Sequence, residues 1–188
     1  MPGQPEEDRL LLKYAQQGQV DAFGVLYERH AASIFRYLYA HLGSRLDAED
    51  LTSDVFLRAW QALPTYDERG VPFRAFLFRI AHNALVDHYR HQKRNPSVPL
   101  EEADLPTDGQ PNPVKALLSR ASQQELAGLL DELKDNYRTV LALRFISQLS
   151  PSETAVAMRR TPGAIRVMQH RALEALRHKL KNKEAEQI

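Results

Sequence analysis

With 188 residues, 43% of them hydrophobic and 26% charged, the chain has the composition of a folded protein with room for one ordinary domain or two small ones, which excludes a disordered polymer. Zero cysteines exclude disulfides, Cys-ligated zinc and thiol catalysis, and a formal net charge of +1 excludes a uniformly basic coat, so any nucleic-acid contact must come from local clusters. No apolar run reaches the roughly 20 residues that span a bilayer, and Met1 to Asp8 is polar and acidic, so a cytoplasmic protein without membrane insertion is expected.

The first half reads as helix. Phe23, Leu26, Tyr27, Ile34, Tyr37 and Leu38 recur at separations of three, four and seven, and neither half holds a convincing alternating strand. Gly43 is expected to end one helix and Asp47 to open the next, with Glu49, Asp50 and Asp54 bringing negative charge near its positive end. On that helix, which runs to about Leu63, Leu51, Val55 and Ala59 line one face. Asp50, Ser53, Asp54 and Leu57 lie on the others, as a solvated, dipole-matched surface or as a protein-docking one.

Thr65 to Pro72 is a loop bracketed by prolines, the kind of segment that either carries function or merely connects. In the helix that follows, Phe73, Leu77, Ile80, Ala81 and Ala84 fall on one side, with Leu85 at its edge, and are expected in the core. Arg79, Asn83, Val86 and Arg90 fall on another, bordered by Phe76 and His82 and extended by Lys93 and Arg94. Such a stripe offers cations to phosphates, an amide to a base edge and an aromatic ring to a displaced base, although Phe76 fits the core equally well. A metal site built from His82, Asp87, His88 and His91 fails on spacing. Only Asp87 and His91 stand four apart, and nothing else completes a ligand set.

From Asn95 onward, Pro96, Pro99, Pro106, Pro111 and Pro113 alternate with Glu101, Glu102, Asp104 and Asp108. Prolines fix φ and remove donors, so residues 95–118 read as an extended acidic linker between domains at 1–94 and 119–188. It serves as a tether, or as a mimic of a nucleic-acid backbone in a basic channel.

Beyond it, Leu126, Leu129, Leu130 and Leu133, then Val140, Leu141, Leu143 and Arg144, form two amphipathic segments. Ser150-Pro151-Ser152-Glu153 carries a serine cap, a proline at the first helical position and a glutamate placed to close a capping box. The cap-plus-proline signal returns at Thr161-Pro162, after a short helix ending near Arg159 and Arg160, which is the spacing of a helix-turn-helix. In its second helix Ile165, Ala172, Leu176 and Leu180 make the stripe expected to be buried. Opposite stand Arg166, Val167, His170, Arg171 and Arg177, the first three in the turns where a recognition helix meets base edges. Arg166 suits a guanine, Val167 a thymine methyl, and Arg171 and Arg177 phosphates; Gln169 falls near the buried stripe.

These residues reach a family. Asp47-Ala48-Glu49-Asp50-Leu51, Val55-Phe56-Leu57-Arg58-Ala59-Trp60 and Phe73-Arg74-Ala75-Phe76-Leu77-Phe78-Arg79-Ile80-Ala81-His82-Asn83 with Asp87 resemble region 2 of bacterial sigma factors. Leu133 to Leu180, with Arg138, Leu143-Arg144, Glu153, Ala155, Gly163 to Arg166 and His170-Arg171-Ala172, resembles region 4, and the missing region 3 points to the compact extracytoplasmic-function (ECF) group of the sigma-70 family. The resemblance implies an all-α fold of two small helical domains and a promoter-directing, melting-competent partner of core RNA polymerase that is not an enzyme and needs no cofactor, metal or catalytic residue.

Asp50, Ser53, Asp54 and Leu57 would then dock on the polymerase clamp helices. Tyr66, Asp67, Phe76, Arg79, Asn83 and Arg90 would engage the −10 element, and Arg160, Thr161, Arg166, Val167, His170 and Arg171 the −35 element. The polymerase flap, promoter DNA and an anti-sigma factor complete the partners the family allows. The family commonly has tryptophan where Phe76 stands and a serine-arginine pair where Val167 and Met168 stand. A two-domain duplex-binding regulator is the competing class, and it would need neither the acidic helix nor the second basic one.

Overall fold

The computed structural model describes residues 5–67, 71–94, 128, 130 and 132–186, and among these it is helical without strands. The expected linker at 95–118, the start of the second domain at 119, Leu126, Leu129 and Glu68 to Gly70 lie outside the described residues. The elements are α1 (Pro5–Gln16), α2 (Val20–Leu42), α3 (Arg45–Ala62) with a 3₁₀ turn at Leu63–Thr65, and α4 (Phe73–Arg94). After them come α5 (Asp135–Leu141), a π-helical stretch at Ala142–Ile146, α6 (Pro151–Met158) and α7 (Pro162–Glu186).

In the first half α2 is the central helix and buries Leu26, Ile34, Tyr37 and Leu38. Gly43 ends it in the left-handed region at φ 69°, where a side chain would be strained, and its N–H closes on Tyr39 O. The next helix starts earlier than Asp47. Ser44 is its cap and accepts from Asp47 N, so Asp47 serves the third helical position rather than the first. Helices α2 and α3 are joined by edge-on rings, with Phe23 4.9 Å from Trp60 and Tyr27 4.7 Å from Phe56, although Tyr27 keeps one side in solvent.

In α4, Phe73, Leu77, Ala81, Ala84 and Leu85 are buried as their spacing predicts, while Ile80 is half-buried. Ala75, Phe76 and Phe78 are buried too, because α4 is covered from two sides: by α2 and α3 on one, and by α6 of the second half on the other. The two halves share one continuous apolar core. Arg74 donates from Nη2 to Ser147 O across the junction, and Thr139 Oγ1 lies 3.4 Å from His41 Nε2.

In the second half Ser150 closes the full capping box with Glu153. Helix α6 ends at Arg159, a non-glycine residue at φ 52°, and Thr161 Oγ1 then caps α7 by accepting from Ala164 N at 3.2 Å. Ile165 and Ala172 are fully buried, Leu176 partly, and Leu180 is 39% exposed. The buried stripe expected to include Leu180 therefore stops short of it, because α7 outruns the small body it rests on.

The junction carries a buried polar chain. Tyr89 donates to His41 O at 2.6 Å, and His41 Nδ1–H donates to Tyr37 O at 2.9 Å, which leaves Nε2 as an acceptor toward the Thr139 hydroxyl. Burial pushes the Tyr37 phenol up, so its O–H stays protonated, and the hydroxyl is hydrogen-bonded to His82 Nδ1 at 3.2 Å. Burial, with a smaller push from Arg138, brings His41 down from 6.5 to about 4; burial and Arg159 lower His82 as well.

A histidine depressed in the folded state contributes stability that is present above 6.5 and is lost as pH falls toward 4, because the unfolded chain takes up a proton that the folded one resists. The loss for His41 is about 3 kcal/mol over that window. Urea denaturation is expected to show a midpoint that falls between pH 6.5 and 4, and His41→Gln to flatten that slope. An unchanged slope in the variant would refute the assignment.

Candidate nucleic-acid and polymerase interfaces

Three surfaces stand out, and each is set by what the helix beneath it buries. On α3, burial of Ala48, Thr52, Val55, Phe56 and Ala59 against α2 and α4 turns Asp50, Ser53 and Leu57 outward. Leu57 is 56% exposed, an apolar side chain beside acidic ones. Asp54 is half-buried and pairs with Arg58 at 2.7 Å, and Arg58 reaches on to Asp87 of α4 at 3.8 Å, so part of the acidic charge is already matched. Beside this face Tyr27, Ala31, Phe35, Glu49, Thr52 and Ser53 line a shallow open groove between α2 and α3. The face thus combines acidic groups with the exposed apolar side chain of Leu57, which suits a basic protein surface that also offers apolar contacts.

The second surface is the open side of α4. Arg79, Asn83 and Val86 are half-buried and Arg90 is exposed, so the stripe predicted by spacing stays accessible although α6 covers a neighbouring side. Arg90 lies 3.7 Å from Asp87, which in turn faces Arg58. His82 turns inward to Tyr37. Among the described residues no group of three histidines and carboxylates could hold a metal ion.

Phe76 needs correction. It is expected either stacked on a displaced base or in the core, and in this structure the residue lies in the core, 5% exposed. Tyr66 folds back over it at 4.7 Å, Phe73 lies at 6.1 Å, and the Arg79 guanidinium sits 5.4 Å above it. Its observable work is to support Tyr66 from below and to hold Arg79 in place through a cation–π contact. Tyr66 itself is half-buried, its O–H donates to Val71 O at 2.6 Å across the loop, and Asp67 is exposed.

The third surface is the start of α7. Arg160, Thr161, Arg166, Val167, His170 and Arg171 are all exposed, with Val167 at 52%, while Ile165 and Ala172 anchor the helix from behind. His170 pairs with Glu174 at 3.3 Å. Gln169 stays out of this group, as its place near the buried stripe suggests: Arg144 Nε donates to its Oε1 at 2.8 Å, and Arg144 Nη1 donates to Leu149 O. Arg144 thereby ties the π-helical stretch to the recognition helix, which fixes the angle at which α7 stands.

Two residues that matter here carry no mark of their role in the sequence. Gln16 Nε2 donates to both Leu63 O and Tyr66 O, and His41, which continues the buried stripe of α2 after Tyr37 and Leu38, joins the two halves.

Comparison with known proteins gives the family of the chain. Residues 26–95 match the model of Sigma-70 region 2, and residues 123–176 that of Sigma-70, region 4. The chain is 34% identical over 166 residues to the ECF RNA polymerase sigma factor BldN of Streptomyces coelicolor, covering 88% of this chain and 63% of BldN. It is 34% identical over 170 residues to the ECF RNA polymerase sigma factor SigD of Mycobacterium tuberculosis, covering 88% and 80% respectively. Among solved structures, CnrH in complex with the cytosolic domain of CnrY superposes with a TM-score of 0.71 at 28% identity, covering 94% of this chain and 98% of CnrH. An all-α chain with both matched regions in this order, and with an open basic stripe and an open recognition helix, belongs to the sigma-70 family as an ECF RNA polymerase sigma factor that acts with RNA polymerase in promoter-directed transcription initiation.

Proposed function

We propose a division of that work among named residues. Asp50, Ser53, Asp54 and Leu57 dock the chain on the clamp helices of core polymerase. Tyr66, Asp67, Arg79, Asn83 and Arg90 engage the opened −10 strand, and Arg160, Thr161, Arg166, Val167, His170 and Arg171 read the −35 duplex. The polymerase flap is the further contact proposed for the second domain. Phe76 drops out of direct contact and becomes the support for Tyr66 and Arg79. The domains fall at 1–94 and 119–188 with a tether at 95–118, the chain works in the cytoplasm as an accessory to polymerase chemistry rather than as an enzyme, and an anti-sigma factor is a partner open to it. No helix among the described residues is long and apolar enough to cross a membrane.

The observation that carries this reading is the pairing of two open cationic surfaces of different kinds on one chain. The stripe of α4 lies beside an aromatic-backed loop, which suits single strand, and the start of α7 is a bare helix face, which suits the major groove. Distance then sets a condition. By their numbering the two elements are centred about 25 base pairs apart, roughly 85 Å of duplex at 3.4 Å per base pair, whereas a compact chain of this size has a radius of gyration of about 16 Å and is about 40 Å across. The closed body described above cannot reach both elements at once, so α4 and α6 must part when the promoter is bound.

The test is reconstitution. The purified chain mixed with bacterial core polymerase on genomic DNA fragments should give transcripts from discrete start sites that neither component yields alone. Duplex binding without association with core polymerase would refute the reading and favour a simple regulator.

A further inference from the structure

Helix α1 precedes the matched region 2 stretch, which begins at residue 26, yet it is tied at both ends to the aromatic group beneath the −10 loop. At its first turns Asp8 accepts from His30 Nε2 at 2.9 Å and from Arg29 Nη1 at 3.0 Å, and the His30 ring stands edge-on to Phe73 at 5.8 Å. Burial opposes charge on Asp8, but His30 and Arg29 outweigh it and hold the carboxyl below its ordinary range, so the tie is ionic at neutral pH.

At the other end the Gln16 side-chain amide spends both of its hydrogens on one target. Nε2 donates to Leu63 O at 3.0 Å and to Tyr66 O at 2.8 Å, the carbonyls of the first residue of the 3₁₀ turn leading into the loop and of the residue just after it. Tyr66 is in turn held by Val71 O through its hydroxyl, and by Phe73 at 5.8 Å and Phe76 at 4.7 Å through its ring. The loop entrance is thus clamped from three directions, and one of them is a residue outside the matched region.

We propose that Gln16 is a positioning residue for promoter opening: its double hydrogen bond fixes the backbone at Leu63 and Tyr66, and so aims the Tyr66 end of the loop at the strand that α4 receives. This rests on the −10 role proposed above. Gln16 touches no base. It acts by keeping the loop entrance in one conformation, so that ordering it does not have to be done at the moment of strand capture.

The experiment compares Gln16→Ala, which deletes the donors, with Gln16→Glu, which keeps the shape but turns a carboxylate onto two carbonyl oxygens. Holoenzymes are assembled on a promoter mapped with the wild-type chain, and permanganate reactivity of unpaired thymines in the −10 region is followed in time. Gln16→Ala should open about threefold to tenfold more slowly and Gln16→Glu at least as slowly, with core affinity, −35 duplex binding and melting temperature held near wild type. A template with a preformed mismatch bubble at −10 should restore transcription by both.

Wild-type opening rates in both variants would overturn the role of Gln16 while leaving the −10 reading intact, as would slowed opening that the bubble fails to rescue. Failure of the wild-type holoenzyme to open any promoter would overturn both. Tyr66→Phe, which removes the bond to Val71 O, gives an independent check: its effect should be less than additive with Gln16→Ala, since both act on one loop entrance, and full additivity would also count against the proposal.

Discussion

A chain locked across its domain junction should bind core polymerase poorly or not at all in a productive form, and should lose promoter-specific transcription by at least tenfold. The protein has no cysteine of its own, so Arg74→Cys and Gln148→Cys supply the only two thiols, one on α4 and one next to Ser147, where Arg74 now donates across the junction. A short bis-maleimide would join them in the closed body. Each single variant treated in the same way keeps its activity, which separates the lock from the loss of the Arg74 bond.

The expectation follows from size against reach. The closed body is about 40 Å across, the promoter elements lie roughly 85 Å apart, and no rearrangement that keeps α4 against α6 closes that difference. The same thiols carrying spin labels should report a distance that lengthens by tens of ångströms when core polymerase is added. Full activity of the locked chain would show that the second domain reaches the −35 element without leaving α4, and would sink the requirement for opening.

Much of this arrangement is legible in the sequence, and what is not has a physical cause. Helices, caps and the outward faces follow from local rules: the Ser150–Glu153 box, the Thr161 cap, and a three-and-four spacing that turns Arg166 and His170 out while burying Ile165 and Ala172. The junction does not. Arg74 and Ser147 stand 73 residues apart and His41 and Thr139 98 apart, and no spacing rule links positions so distant.

Phe76 fails for a related reason. A helical wheel places it at the border of the stripe, but a wheel sees only its own helix, and the ring is covered by Tyr66 from the preceding loop. Leu180 fails in the opposite sense, because an apolar period continues along α7 past the point where there is anything to bury it. Gln16 gives no signal at all, since a glutamine at the end of a surface helix reads as solvation until the two carbonyls it serves are seen.

Arg166→Ala should weaken binding to the matching −35 element by about 1–3 kcal/mol, roughly tenfold to a hundredfold, if its guanidinium makes a bidentate pair with a guanine. The side chain is exposed on the fifth residue of α7, with Ile165 behind it in the core and the Thr161 cap setting the first turn, so its removal leaves the helix intact. The loss should therefore be selective in two ways. Discrimination should fall at one base position and persist at the others, and association with core polymerase through α3, on the other domain, should be unchanged.

Arg171→Ala supplies the contrast. Removing a cation that faces phosphate should weaken binding to all sequences about equally and reduce the salt dependence by roughly one counterion. Competition binding across single-base −35 variants, at two salt concentrations, separates the two behaviours. A uniform loss for Arg166→Ala would reassign it from base reading to the backbone, and loss of core association would overturn the division of labour between the two domains.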